Sequence, residues 1–134
     1  MRESIFVDTG YILALANEND QHHADALALS EQFDGQPLVV TDAVLLEIGN
    51  ALARMDRDAA VQIINDLRES PGVTVVNLTP ELFESGFDLY RRHTDKRWGL
   101  VDCVSFVVMR QLGLTTALAF DQHFGQAGFV VPRM

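Results

Sequence analysis

Four acidic residues occupy positions where a surface charge is not normally found; they are Asp8, Glu47, Asp102 and Asp121. Two of them, Asp8 and Asp121, directly follow short apolar runs typical of buried strands. Glu47 shares a helical face with Asn50, and these are the only polar side chains between Ala43 and Ala53. Each acid alone also has a simple structural explanation, as a turn residue, a helix cap or a partner of a helix dipole. The hypothesis of a shared site therefore depends on all four coming together.

Carboxylates gathered in one place favour bound cations. Without cations the four acids would repel one another, and one or more would be protonated at neutral pH. The sequence has no pair of cysteines and no spaced pair of histidines, so hard oxygen donors indicate Mg²⁺ or Mn²⁺ rather than zinc. Such ions suit the attack of water on a phosphodiester. We therefore predict a metal site in which all four acids are ligands and catalytic residues.

The elements that must position these acids alternate along the chain. Short apolar or β-branched runs predict strands at 5–7, 38–40, 73–76, 117–120 and 129–132. Helical periodicity predicts helices at 11–15, 23–33, 43–54, around 61–67, from 79 to 92 and from 101 to 112. This alternation predicts a five-stranded, mostly parallel sheet in a single-domain α/β/α sandwich over residues 1–134. In such sheets ligands bind at the carboxyl ends of the strands, where we expect Asp8 and Asp121.

Composition is that of one globular domain in a reducing compartment. The chain has 134 residues, of which 48% are hydrophobic and 22% charged. Its single cysteine, Cys103, has apolar neighbours and is expected to be a buried thiol. We find no signal peptide and no apolar run long enough to span a membrane, so we expect a cytoplasmic protein.

The order of these motifs along the chain resembles that of a known protein family. The segments that carry the resemblance are Phe6-Val7-Asp8-Thr9-Gly10-Tyr11, Glu47 after Thr41-Asp42, Trp98-Gly99-Leu100-Val101-Asp102-Cys103-Val104-Ser105-Phe106, Ala119-Phe120-Asp121-Gln122-His123-Phe124 and Ala127-Gly128-Phe129. In this order they resemble PIN-domain ribonucleases, and within these the VapC-type toxins of bacterial toxin–antitoxin pairs. The resemblance implies Mg²⁺- or Mn²⁺-dependent endonuclease action on RNA, inhibition by a small antitoxin and a homodimer. It also implies that the four acids form the site, although Ala119 replaces the Thr or Ser that often precedes the last acid by two residues.

The charge distribution leaves two interpretations open. A net charge of −9 opposes broad binding of nucleic acid, but part of it belongs to the predicted metal site. Four of the ten Lys and Arg residues lie shortly before Asp102; they are Arg91, Arg92, Lys96 and Arg97. They could place positive charge at the mouth of the crevice or form a solvated helix end. Similarly, His123 could contact substrate or be structural, while His22 and His23 are expected in a surface loop or at a helix start.

Three other functions compete with that of a ribonuclease. A receiver-type signalling domain needs an acidic pair after the first strand and an acid after the third, but Asp8 stands alone and Asn77 follows the third strand. A haloacid-type phosphatase needs a second Asp two positions after Asp8, where the chain has Gly10. A PIN fold that acts only as a binding module stays open, because it could retain all four acids.

Overall fold

The computed structural model describes residues 3–134, which alternate between strands and helices. The strands are β1 (Ile5–Val7), β2 (Leu38–Thr41), β3 (Val73–Val76) and β4 (Ala117–Leu118). The helices are α1 (Thr9–Ala16), α2 (His23–Gln32), α3 (Asp42–Leu52), α4 (Arg57–Glu69), α5 (Pro80–Arg92), α6 (Leu100–Leu112) and α7 (His123–Gln126). None of the helices in this described part has the length and apolar character needed to cross a bilayer.

The strands form one parallel sheet in the order β3-β2-β1-β4. The chain thus moves outward from β1 through β2 to β3 and then returns to the other side of β1. With right-handed crossovers, this reversal sends the helices before and after β3 to different faces. The contacts between helices agree with this arrangement. Helices α1 to α4 form one packed group, and α5, α6 and α7 form another. The parallel α/β class is therefore as predicted.

The prediction of a fifth strand is wrong. The predicted segment at 129–132 forms a single parallel bridge, between Thr116 and Val130. Gly128 has a φ of +96°, which breaks the extended backbone just before the segment, and Pro132 has no N–H with which to continue a ladder. The fourth strand is also shorter than predicted, because it ends at Leu118. The described sheet consequently has four strands.

Local chemistry explains where the helices begin and end. The Thr41 hydroxyl accepts a hydrogen bond from the Val44 N–H at 3.1 Å and caps α3, which carries Glu47. Thr79 caps α5 in the same way. Gly113 ends α6 with a φ of +68°, a backbone conformation that favours glycine. The predicted helix stop at Gly113 is confirmed.

The core lies on the sheet and holds α6 close to α5. Phe6, Phe106 and Phe124 are fully buried, and Cys103 is buried as predicted. A Cβ atom added at Gly86 of α5 would lie only 2.6 Å from Cγ2 of Val104 on α6. Glycine at this position therefore permits the close approach of the helix that carries Asp102.

Candidate active site

All four predicted acids line one open cleft of about 650 Å³, at the carboxyl ends of the strands. Asp8 directly follows β1, and its backbone N–H donates to the Leu118 carbonyl at 3.0 Å, which ties it to the end of β4. Asp121 lies three residues beyond β4 rather than at its end. The cleft occurs where the strand order reverses between β1 and β4, the position at which open parallel sheets bind ligands.

Asp8 is the most deeply buried of the acids, with 5% of its surface exposed. Burial raises the pKa of its carboxyl to about 8, and the negative charges of Asp102, Asp121 and Glu47 add to the increase. The Thr9 backbone hydrogen bond acts in the opposite direction. A helix cap alone does not account for this residue, since its side chain does not make the usual capping hydrogen bond to the second or third residue of α1.

Glu47 is held by a neighbour of Asp8. The Thr9 hydroxyl donates a hydrogen bond to Glu47 Oε1 at 2.5 Å, which joins α1 to α3 across the cleft. Burial raises the pKa of Glu47, and the charges of Asp102 and Asp121 raise it further, whereas the Thr9 hydroxyl lowers it. The amphipathic pattern predicted that Glu47 and Asn50 share a face, and both line the cleft.

Asp102 and Asp121 meet at His123. Asp102 Oδ2 accepts a hydrogen bond from the Gly99 N–H at 3.0 Å and lies 2.8 Å from His123 Nδ1. Asp121 Oδ1 accepts from the His123 N–H at 2.9 Å, and its Oδ2 lies 3.7 Å from His123 Nδ1. Burial raises the pKa of Asp102 and the charge of Asp121 adds to the increase, whereas the hydrogen bonds from Gly99 and His123 lower it. His123 thus bridges two of the predicted acids.

The donor set fits a hard divalent cation. One ligand atom from each of Asp102, Asp121 and His123 lies within 4.8 Å of the others. Asp8 and Glu47 lie outside this group of three but line the same cleft, and the charges of Asp102 and Asp121 raise the pKa of both. A bound cation offsets the repulsion between carboxylates that raise one another's pKa, and oxygen ligands favour Mg²⁺ or Mn²⁺.

Sequence patterns did not identify several other residues of the cleft, namely Thr9, His22 and Phe120. His22 precedes α2 as its cap residue, so the expected helix start is confirmed. Its ring stacks on Phe120 with centroids 4.4 Å apart and planes 5° apart. No local pattern signals this contact, because the two residues are far apart in sequence. A hydroxyl immediately after Asp8 was the one available signal for Thr9.

The basic segment before Asp102 does not line the acid cleft. Arg91, Lys96 and Arg97 instead line a separate pocket together with aromatic side chains. Arg91 and Arg92 both pair with Asp88.

Comparison with known proteins identifies the class of this fold and site. The PIN domain family matches residues 5–130, and the chain belongs to that family. The predicted resemblance is thereby confirmed, and the receiver and phosphatase alternatives are wrong.

Two individual relatives span nearly the whole chain. The 23S rRNA-specific endonuclease VapC20 of Mycobacterium tuberculosis, from strains CDC 1551 / Oshkosh and H37Rv, is 37% identical over 130 residues, covering 96% of this chain and 98% of the relative. The crystal structure of M. tuberculosis VapC20, described as a Sarcin-Ricin loop cleaving toxin, superposes with a TM-score of 0.88 at 34% identity, covering 97% of this chain and 99% of that one.

More distant structures share the fold alone. FitAcB from Neisseria gonorrhoeae has a TM-score of 0.66 at 15% identity, covering 95% of both chains. VapBC2 from Rickettsia felis, bound to a DNA fragment from its promoter, has a TM-score of 0.70 at 8% identity, covering 96% of this chain and 97% of that one.

Proposed function

We propose that this protein is a divalent-metal-dependent endoribonuclease that hydrolyses a phosphodiester of 23S rRNA, and that it is the toxin of a toxin–antitoxin pair. The observation that carries the proposal is the convergence of Asp8, Glu47, Asp102 and Asp121 in one cleft of a PIN fold. The name of the similar VapC20 supports the choice of RNA and of endonuclease action. The description of VapC20 as a Sarcin-Ricin loop cleaving toxin supports that loop as the first substrate to test.

The four acids, which line one cleft, would hold Mg²⁺ or Mn²⁺. A bound cation would supply positive charge to the scissile phosphate and activate a water for attack. Thr9 fixes the Glu47 carboxylate, and Gly99 and His123 fix that of Asp102. Because these partners hold the side chains of Glu47 and Asp102, those two acids need little reorganisation before the reaction.

Removing single charges from the cleft tests the proposal. Asp8→Asn and Asp102→Asn should each lose Mg²⁺-dependent cleavage of a sarcin–ricin loop RNA while keeping the fold, because cation affinity needs the charge whereas packing does not. Glu84→Gln on the exposed surface of α5 removes the same charge elsewhere and should cleave normally. Wild-type activity that survives EDTA, or full activity in both Asn variants, would contradict the assignment. If the PIN fold of this protein acts only as a binding module, the wild-type protein will not cleave the RNA.

The partners form a separate part of the proposal. A ribosomal substrate requires action in the cytoplasm, in agreement with the expected location. The toxin role predicts a short neighbouring gene whose product co-purifies with this chain and stops cleavage. The predicted homodimer can be tested by sedimentation of the purified protein.

A further inference from the structure

A second pocket, of about 610 Å³, lies beside the segment that leads into α6. It combines aromatic with cationic side chains, among them Phe87, Tyr90, Arg91, Lys96, Arg97 and Trp98. No residue of this pocket lines the acid cleft. We refer to it below as the aromatic–cationic pocket.

The charge of this region is opposite in sign to that of the whole chain. Asp88 pairs with Arg91 and Arg92, at 2.5 and 3.0 Å, and Asp95 pairs with Lys96 at 3.2 Å. From Asp88 to Arg97 there are four cations and two carboxylates, so the segment is positive although the chain carries −9. The Arg91 and Arg92 side chains are more than half exposed. The pocket therefore favours an anionic ligand.

The aromatic side chains form an exposed platform next to a fixed wall. Phe87 and Tyr90 are 40% and 45% exposed, and their ring centroids lie 6.5 Å apart. Trp98 is buried, and its Nε1 donates to Gln126 Oε1 at 3.1 Å, while its ring packs edge-to-face on Phe106. Aromatic rings that stack on bases, beside cations that bind phosphates, are typical of sites for unpaired nucleic acid.

The pocket and the acid cleft lie at the two ends of one short turn. Trp98 lines the pocket, and Asp102, four residues later, lines the cleft. Chain geometry places their Cα atoms at most about 9 Å apart, since residues 99–102 span the first turn of α6. The Gly99 N–H also donates to Asp102 Oδ2, which makes the turn rigid. The pocket is therefore near enough to the cleft to be within reach of a strand of RNA held there.

We propose that the aromatic–cationic pocket binds unpaired RNA that flanks the scissile phosphate, with Lys96 and Arg97 contacting phosphates and Tyr90 stacking on a base. The inference rests on the proposed function, because it assumes that the anion in the acid cleft is RNA. It favours substrate binding over a merely solvated helix end as the role of the basic segment.

Salt-dependent RNA binding tests the cations. The probe is a fluorescein-labelled hairpin with the sarcin–ricin loop sequence, titrated in EDTA over a range of KCl concentrations. Lys96→Gln/Arg97→Gln should lower the slope of log K against log salt by about 1.4, the value for two contacts to single-strand phosphates. The matched control, Arg57→Gln/Arg68→Gln, removes two exposed cations from α4 and should keep the wild-type slope.

Cleavage kinetics test the platform. Tyr90→Leu should weaken hairpin binding about 5-fold or more through the lost stacking, and should raise KM while the maximal rate is kept. Wild-type slopes in the Lys96→Gln/Arg97→Gln variant, or a loss of maximal rate at unchanged KM, would overturn the inference. Dissociation of a dimer by Tyr90→Leu with unchanged RNA affinity would also overturn it and assign this face to a second copy of the chain.

The two proposals can fail separately. A wild-type protein that binds the hairpin with the expected slope but does not cleave it in Mg²⁺ contradicts the proposed function and leaves the pocket supported. Cleavage by both wild type and Lys96→Gln/Arg97→Gln, with equal KM, contradicts the pocket alone.

Discussion

Replacing Asp8 by Asn should stabilise the metal-free protein at neutral pH. The folded state raises the pKa of this carboxyl from 3.8 to about 8, first by burial and then by the charges of Asp102 and Asp121. The folded protein therefore keeps a proton that the unfolded chain releases above about pH 4, and this difference lowers the stability as pH rises. At about 1.4 kcal/mol per pKa unit, the free energy of unfolding is lowered by at most about 4 kcal/mol at pH 7. Asparagine has the same shape, can accept the Thr9 hydrogen bond and carries no charge.

Urea unfolding in EDTA from pH 4 to pH 9 measures this effect. The stability of Asp8→Asn relative to wild type should rise from near zero at pH 4 to about 1–4 kcal/mol near pH 8, and should then level off. Glu84→Gln, which removes an exposed charge, should follow the wild type throughout. Magnesium at ten times its dissociation constant should stabilise the wild type by about 1.4 kcal/mol and the Asn variant by less. Asp8→Asn that is no more stable than wild type at pH 8 in EDTA would refute the buried-charge argument.

Three further substitutions test other parts of the fold and site. Thr9→Val removes the hydroxyl that fixes Glu47 and should lower kcat about 10- to 100-fold in a cleavage assay with little change in Tm; unchanged kcat would deny it a positioning role. Gly86→Ala places a methyl group against Val104 and should lower the free energy of unfolding by about 1–3 kcal/mol in urea, whereas a neutral result would mean that α5 and α6 can separate freely. Thr41→Ala loses the buried cap of α3 and should cost about 1–2 kcal/mol by the same measurement, with Thr41→Ser restoring most of it.

The sequence predicted the first three strands well because each is a short apolar or β-branched run with clear turn residues around it. The prediction of strands was wrong for the segment that follows β4, because that segment is hydrophobic but does not pair as a strand. Phe129 packs against other aromatic rings of the core, yet its segment makes one bridge. Apolar side chains in this segment pack against the core although its backbone does not pair as a strand. A pattern of hydrophobicity does not distinguish such a segment from a paired strand.

The acids could be predicted, but their surroundings could not. Asp8 and Glu47 stand out because each interrupts an apolar context. The hydrogen bond from His123 to Asp102 and the stack of His22 on Phe120 join residues brought together only by the fold. Their identities carry no local sign of these contacts. Motif order therefore located the charges of the candidate site, whereas the structure was needed to find the groups that orient them.

The central position of β1 between β2 and β4 has a consequence for synthesis. Asp8 is translated well before the strand that completes its surroundings, β4, and before the loop that bears Asp121. A nascent chain cannot assemble the whole cleft until β4 and Asp121 have been translated. Fragments that end before β4 should therefore lack cleavage activity, even though they contain Asp8, Glu47 and Asp102.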